Sequence, residues 1–163
     1  MKPFGSVSFS AILFVAVSMS APPSFGAGGG GSSDGSGGSD NISQAFVAAK
    51  AAVDAGDYED AIRKLTILVT DEPGNADAHN YLGYSNRKLG RMDQARNWYE
   101  KALDIDSRHL GANEYLGELY VQTGEMDKAA AQLDILDGLC FFGCPEFDQL
   151  KRSIADAKKR AGG

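Results

Sequence analysis

Gly56, Gly90 and Gly124 stand 34 residues apart, and the residues around them recur in step. Ala61, Ala95 and Ala129 coincide, as do Tyr58, Met92 and Met126, and Leu65, Tyr99 and Leu133. Leu82-Gly83 falls on Leu116-Gly117, with Ala48-Ala49 at the same place in the first segment. A strict period held over segments starting at Ile42, Ala76 and Leu110 leaves few folds open, because each unit must be one small motif stacked on its neighbours.

Each segment reads as two helices. Ala78, Leu82, Gly83 and Leu89 share one helical face, and Ala95, Trp98, Tyr99, Ala102 and Leu103 share another. The recurring glycine is placed to end the first helix in a left-handed conformation, and Asp57, Asp93 and Asp127 to cap or open the second. Small residues at Gly83, Ala95 and Gly117 let helices approach, while Leu65, Tyr99 and Leu133 fill the gaps between pairs. No pair can bury its apolar face alone, so at least three must stack. The same count places Phe147, Leu150 and Ile154 on the positions of His79, Leu82 and Asn86, so residues 144–163 read as a lone capping helix. Pro145 suits its first turn, and Lys158, Lys159 and Arg160 its C-terminal dipole. Asp148, Lys151, Arg152 and Asp156 make its outer face soluble.

The first 41 residues have a different character. One Lys, an apolar run from Ala11 to Val17 and the small-residue tail SAPPSFGA give residues 1–26 the layout of a secretory signal peptide, with cleavage expected after Ser20 or Gly26. The alternative, an uncleaved N-terminal anchor, calls for a span of about 20 apolar residues. Residues 27–41, glycine- and serine-rich, read as a flexible linker. A periplasmic or secreted protein is expected, with no stable membrane insertion after cleavage. The chain carries 16 basic and 22 acidic residues, and losing Lys2 with the leader leaves 15 against 22, a net of −7. That balance opposes a phosphate backbone, so nucleic acid is not expected as a partner.

On Tyr81-Leu82-Gly83, Ala95, Tyr99 and Ala102, on Leu116-Gly117, Tyr120, Ala129 and Leu133, and on the DEPGN at Asp71 to Asn75, the chain resembles the tetratricopeptide-repeat family. Its pattern is W-x2-L-G-x2-Y, then A-x3-F, A and P. The resemblance covers about Ile42 to Leu139 and implies an all-α superhelix of three helix pairs, 42–75, 76–109 and 110–143, plus the cap. His79 and Asn113 stand where the family favours Trp, Asn86 where it favours Tyr and Ser107 where it favours Pro, so looser packing is expected of the middle pair. The family binds peptides or protein segments on a concave face lined by the first helix of each pair. Carried over by register, that face comprises Phe46, Lys50 and Val53, then Asn80, Tyr84, Arg87 and Lys88, then Glu114, Glu118, Val121 and Gln122. A basic middle beside an acidic end suits an extended segment of another protein. Phe46, Lys50 and Tyr81 occupy clamp-like positions without reproducing the Lys and Asn set with which some members grip a C-terminal carboxylate.

Both cysteines fall in GLCFFGCPEF, at 140 and 144, where the last full unit gives way to the cap. In an exported chain they are expected to form a disulfide that pins the cap, with Gly143 freeing the turn. A ring this small stabilises by about 2 kcal/mol in the chain-entropy model. C-x3-C-P also resembles the copper-binding motif of thioredoxin-like copper chaperones, so a copper-binding or thiol-redox accessory stays open beside the clasp, as do free thiols. Those chaperones place the motif after a strand with a distant His ligand. Here no strand pattern exists, and His79 and His109 have no helical i,i+4 partner. No Gly-rich phosphate loop, His-x3-His pair or Gly-x-Ser-x-Gly appears. No catalytic residue, metal ligand or cofactor is therefore assigned, and a non-enzymatic scaffold or adaptor is expected.

Overall fold

In a computed structural model, the described residues, 37–162, form seven helices. They are α1 (Gly37–Asp54), α2 (Tyr58–Asp71), α3 (Ala76–Lys88), α4 (Met92–Ile105), α5 (Leu110–Thr123), α6 (Met126–Leu139) and α7 (Pro145–Gly162). The fold is all-α, with no strand among the described residues. The expected signal peptide at 1–26 and most of the linker at 27–41 lie outside them. Helix α1 begins at Gly37, five residues ahead of the period-based start at Ile42, because the repeat marks where units register and not where the first helix stops. No helix among the described residues is long and apolar enough to cross a membrane.

The punctuation follows the period. Gly56, Gly90 and Gly124 take φ of 77°, 77° and 80°, a conformation that side chains with a Cβ adopt only under strain. Asp57 caps α2 by accepting the Asp60 N–H at 3.0 Å, and Asn75 caps α3 by accepting that of Ala78 at 2.9 Å. Asp93 and Asp127 lie within the first turns of α4 and α6. One period after Asn75, His109 caps α5 with a ring nitrogen. Its Nδ1 accepts the Ala112 N–H at 3.1 Å, so the proton of the neutral ring is on Nε2, which donates to Asp77 at 3.0 Å.

Two apolar clusters run through the stack. Ala49, Val53, Ala61, Leu65, Leu68, Ala78 and Leu82 form one, and Ala95, Tyr99, Leu116, Leu119, Ala129, Leu136, Leu150 and Ile154 the other. Leu150 and Ile154 bring α7 into the second, as a cap must. Glycine sets the closest approach: a Cβ at Gly83 would lie 2.5 Å from the Tyr99 ring, and one at Gly117 2.4 Å from Leu150. The looseness expected of the middle pair is absent, for Tyr99 is wholly buried. Three of the four polar replacements, His79 and Asn86 in the middle pair and Asn113 in the next, are buried and bonded, while Ser107 is exposed. Asn86 Nδ2 donates to the Leu82 carbonyl at 2.8 Å, Asn113 Nδ2 to that of His109 at 3.0 Å, and His79 Nδ1 lies 2.9 Å from the Asn75 carbonyl.

Curvature follows from which helices touch. Each odd-numbered helix packs on the next, α1 on α3, α3 on α5 and α5 on α7, whereas α2, α4 and α6 do not pack on one another. A stack drawn together on one side and open on the other is concave on the drawn side, so α1, α3, α5 and α7 line the inner face.

Candidate functional site

Aromatic rings stand in a row: Tyr84 and Tyr115 half-buried on the inner helices α3 and α5, Tyr58 half-buried at the start of α2, and Tyr99 of α4 wholly buried. Tyr58 and Tyr84 have centroids 6.1 Å apart, Tyr84 and Tyr115 5.1 Å, and Tyr115 and Tyr99 6.2 Å. Phe46 and Tyr81 pair separately, edge to face at 5.7 Å. The Arg87 guanidinium carbon lies 5.6 Å from the Tyr84 centroid and 5.5 Å from that of Tyr115, within cation–π range of both. Its Nη2 pairs with Glu118 at 2.9 Å, and its Nε donates to the Tyr99 hydroxyl at 3.3 Å. One buried cation thus ties α3, α4 and α5 together and fixes three rings around it. Lys88 lies 5.9 Å and 5.8 Å from the Tyr58 and Tyr84 centroids with its ammonium exposed.

Burial divides the residues expected on this face. Asn80, Arg87 and Glu114 are only 4%, 7% and 5% exposed, and Val53 is also buried. Phe46, Tyr84, Glu118 and Val121 are half-buried, while Lys50, Lys88 and Gln122 stand in solvent. Register names a face but not its depth: Asn80 packs against Gly111 of the next inner helix, and Arg87 is enclosed by Tyr84, Tyr99, Tyr115 and Glu118. The basic middle is correspondingly smaller than expected: Arg87 is neutralised by Glu118 and Lys50 pairs with Asp54 at 2.8 Å, leaving Lys88 as the exposed cation of α3 on this face.

The acidic end is present. Burial pushes Glu114 up to about 7, with Glu118 and Glu146 adding to the shift and Arg87 opposing it. Burial likewise pushes the Tyr115 hydroxyl up to about 12, so it is a neutral donor at physiological pH. Asn80 Oδ1 is buried without a hydrogen-bond partner.

Between α5 and α7 a cavity of about 200 Å³ is lined by Glu118, Val121, Gln122, Ser153, Asp156 and Arg160. The capping helix supplies half of that lining. Sequence reasoning gave Asp156 only a solubilising role, although it stands one period after Gln122, and continuing the count would have placed it here. Tyr115 is not among the residues that register places on this face, although it neighbours Glu114 in sequence.

Cys140 and Cys144 are joined by a disulfide, with Cα atoms 5.5 Å apart. In that form neither sulfur offers the thiolate that copper ligation or thiol exchange requires. Among the described residues no group of three His, Cys, Asp or Glu side chains converges as a metal site.

The tetratricopeptide-repeat family matches the chain twice, over residues 46–109 and 87–138. The chain is a tetratricopeptide-repeat protein. No curated protein matches it in sequence. Solved structures share its fold. The type III secretion translocator chaperone SycD of Yersinia enterocolitica is similar at TM-score 0.67 and 21% identity, covering 77% of this tetratricopeptide-repeat chain and 88% of SycD. PcrH in complex with the chaperone-binding region of PopD gives 0.65 and 19%, covering 76% and 93%. The TPR2B domain of yeast Sti1 in complex with pHsp70 gives 0.66 and 17%, covering 73% and 97%.

Proposed function

We propose that this tetratricopeptide-repeat protein is a non-catalytic adaptor of the cell envelope or extracellular space, which holds an extended segment of another protein against α1, α3, α5 and α7. The observation that carries this is the placement of Tyr84 and Tyr115 against the buried Arg87, with Tyr58 beside Tyr84 and Lys88. Such rings offer flat apolar area whose ordering is already complete before a ligand arrives, and the tyrosine hydroxyls, Lys88 and Gln122 offer hydrogen bonds to its backbone and side chains. That PcrH was solved with the chaperone-binding region of PopD and the Sti1 domain with pHsp70 supports the same use of this fold. A groove of this length gives modest affinity for one copy and more where several act together.

Burial decides the test. Asn80 and Arg87 are part of the packed structure, so their truncation reports on folding; Lys88 and Gln122 are exposed and report on binding. The tagged chain is recovered from its own cells beside the Lys88→Glu/Gln122→Ala variant. A protein bound by the first and lost from the second, with both melting alike, supports the groove; equal recovery moves the site to the convex face. N-terminal sequencing of the cellular protein tests export. A start near residue 21 or 27 supports it, and an intact Met1 overturns it.

A further inference from the structure

The connection from α6 to α7 bears a second, unrelated surface. Phe141 and Phe142 are 88% and 98% exposed, with rings edge to face at 5.2 Å. They occupy the turn that the Cys140–Cys144 disulfide closes, where the Gly143 N–H donates to the Cys140 carbonyl at 2.7 Å and Gly143 takes φ of 84°. Closing this ring asks nothing of residues 141 and 142. Small polar side chains would serve it equally, and two large apolar side chains left in water add nothing to the fold. What the ring does to them is restrict the backbone that carries them, so that docking would order little more than the two side chains. Aromatic side chains, Phe among them, are enriched at protein interfaces, where a few anchors carry most of the binding energy.

The surroundings indicate what they dock into. From residue 134 to 148 the chain holds Asp134, Asp137, Glu146 and Asp148 and neither Lys nor Arg. Asp134, Asp137 and Asp148 are exposed. An apolar tip in an acidic surround is complementary to an apolar pocket with a basic rim. It is repelled by an anionic lipid surface, and a second copy of this chain, at net charge −6, is itself an acidic partner. We propose that the Cys140–Cys144 loop is a docking knob, with Phe141 and Phe142 as its anchors, for an apolar pocket edged by Lys or Arg on a partner protein. It acts independently of the inner face.

The test places the photo-crosslinking residue p-benzoylphenylalanine at position 142 of the full chain in its own cells and maps the adducts by mass spectrometry. The expected adduct lies on one partner protein, at a surface flanked by Lys or Arg. Its yield falls about tenfold with Phe141→Ser, as for loss of a central anchor, and about threefold with Asp137→Lys/Glu146→Lys. Lys88→Glu leaves it unchanged. Adducts to lipid alone, adducts to another copy of the chain alone, a yield no higher than from a probe at exposed Arg63, or a yield insensitive to either loop variant would each overturn the proposal. Melting curves accompany every variant, and since the altered residues lie at or near the surface the curves are expected to coincide with that of the native chain.

Discussion

The inner face and the α6–α7 loop both present aromatic side chains, and they hold them by opposite means. On the inner face the rings are fixed without a covalent bond: Arg87 lies beside the paired rings of Tyr84 and Tyr115, pairs with Glu118 and reaches the Tyr99 hydroxyl. In the loop a disulfide restrains the backbone, and Phe141 and Phe142 are left to solvent. Removing a key residue from the first region therefore disturbs the fold, whereas removing the aromatics from the second leaves it intact. Rigid presentation of a binding group can be reached by burying a charge among rings or by closing a short ring of backbone, and only the first ties ligand-facing residues to global stability.

The largest effect expected from this contrast is that of Arg87→Ala. It leaves Glu118 and Glu114 without their cation in a poorly solvated place, and breaking a buried pair in this way costs about 3–5 kcal/mol. Urea denaturation measures it, and a variant as stable as the native chain would erase the distinction between the two regions. Arg87→Met/Glu118→Leu removes both charges together and is expected to recover most of the loss.

Next comes the clasp itself. Cys140→Ser/Cys144→Ser is expected to lower stability by about 2 kcal/mol in the chain-entropy model, read as a lower melting temperature, with groove binding retained. Binding lost at unchanged stability would show that the cysteines serve the partner and not the cap.

A smaller effect sharpens the electrostatics of the inner face. Glu114 titrates near 7 in the folded chain against an ordinary value of 4.5, so between those values the folded state holds more protons than the unfolded one. Stability from this group is therefore present at low pH and lost as pH rises through that window. Glu114→Gln is expected to flatten the profile, adding on the order of 1 kcal/mol at pH 8, after allowance for solvent screening, and nothing at pH 4. A profile unchanged by the substitution would show that Glu114 titrates alike in the folded and unfolded chain. Smallest of all, Phe141→Ser/Phe142→Ser is expected to shift stability by less than about 0.5 kcal/mol, because neither ring touches the core. A larger loss in calorimetry would make the pair structural.

Much of this architecture is legible in the residues alone. The 34-residue step locates every left-handed glycine between paired helices, and the apolar faces pair the helices correctly, since both are local consequences of backbone sterics and helical periodicity. Depth was not legible. Asn80, Arg87 and Glu114 follow the register onto the inner face, but their burial depends on how closely neighbouring helices approach. A usable signal does exist in the spacing of opposite charges. Arg87 with Glu118, Glu59 with Arg91, Asp77 with His109 and Arg96 with Glu125 all join side chains slightly less than one period apart, so each bridges one helix pair to the next. Searching for complementary charges just short of the repeat length would have found the Arg87 pair before any coordinates.

The contact pattern that makes the odd-numbered side concave also makes the stack compliant in one direction. The inner edge is tied by packing of α1, α3, α5 and α7, whereas α2, α4 and α6 are tied to one another at their starts by the Glu59–Arg91 and Arg96–Glu125 ion pairs. Motion of the outer edge about the inner one changes the spacing of the outer helices most and leaves the inner rings close to where Arg87 and Glu118 hold them. Salt is then a handle on the outer edge more than on the inner one, because exposed ion pairs are screened and the buried Arg87 pair is screened much less.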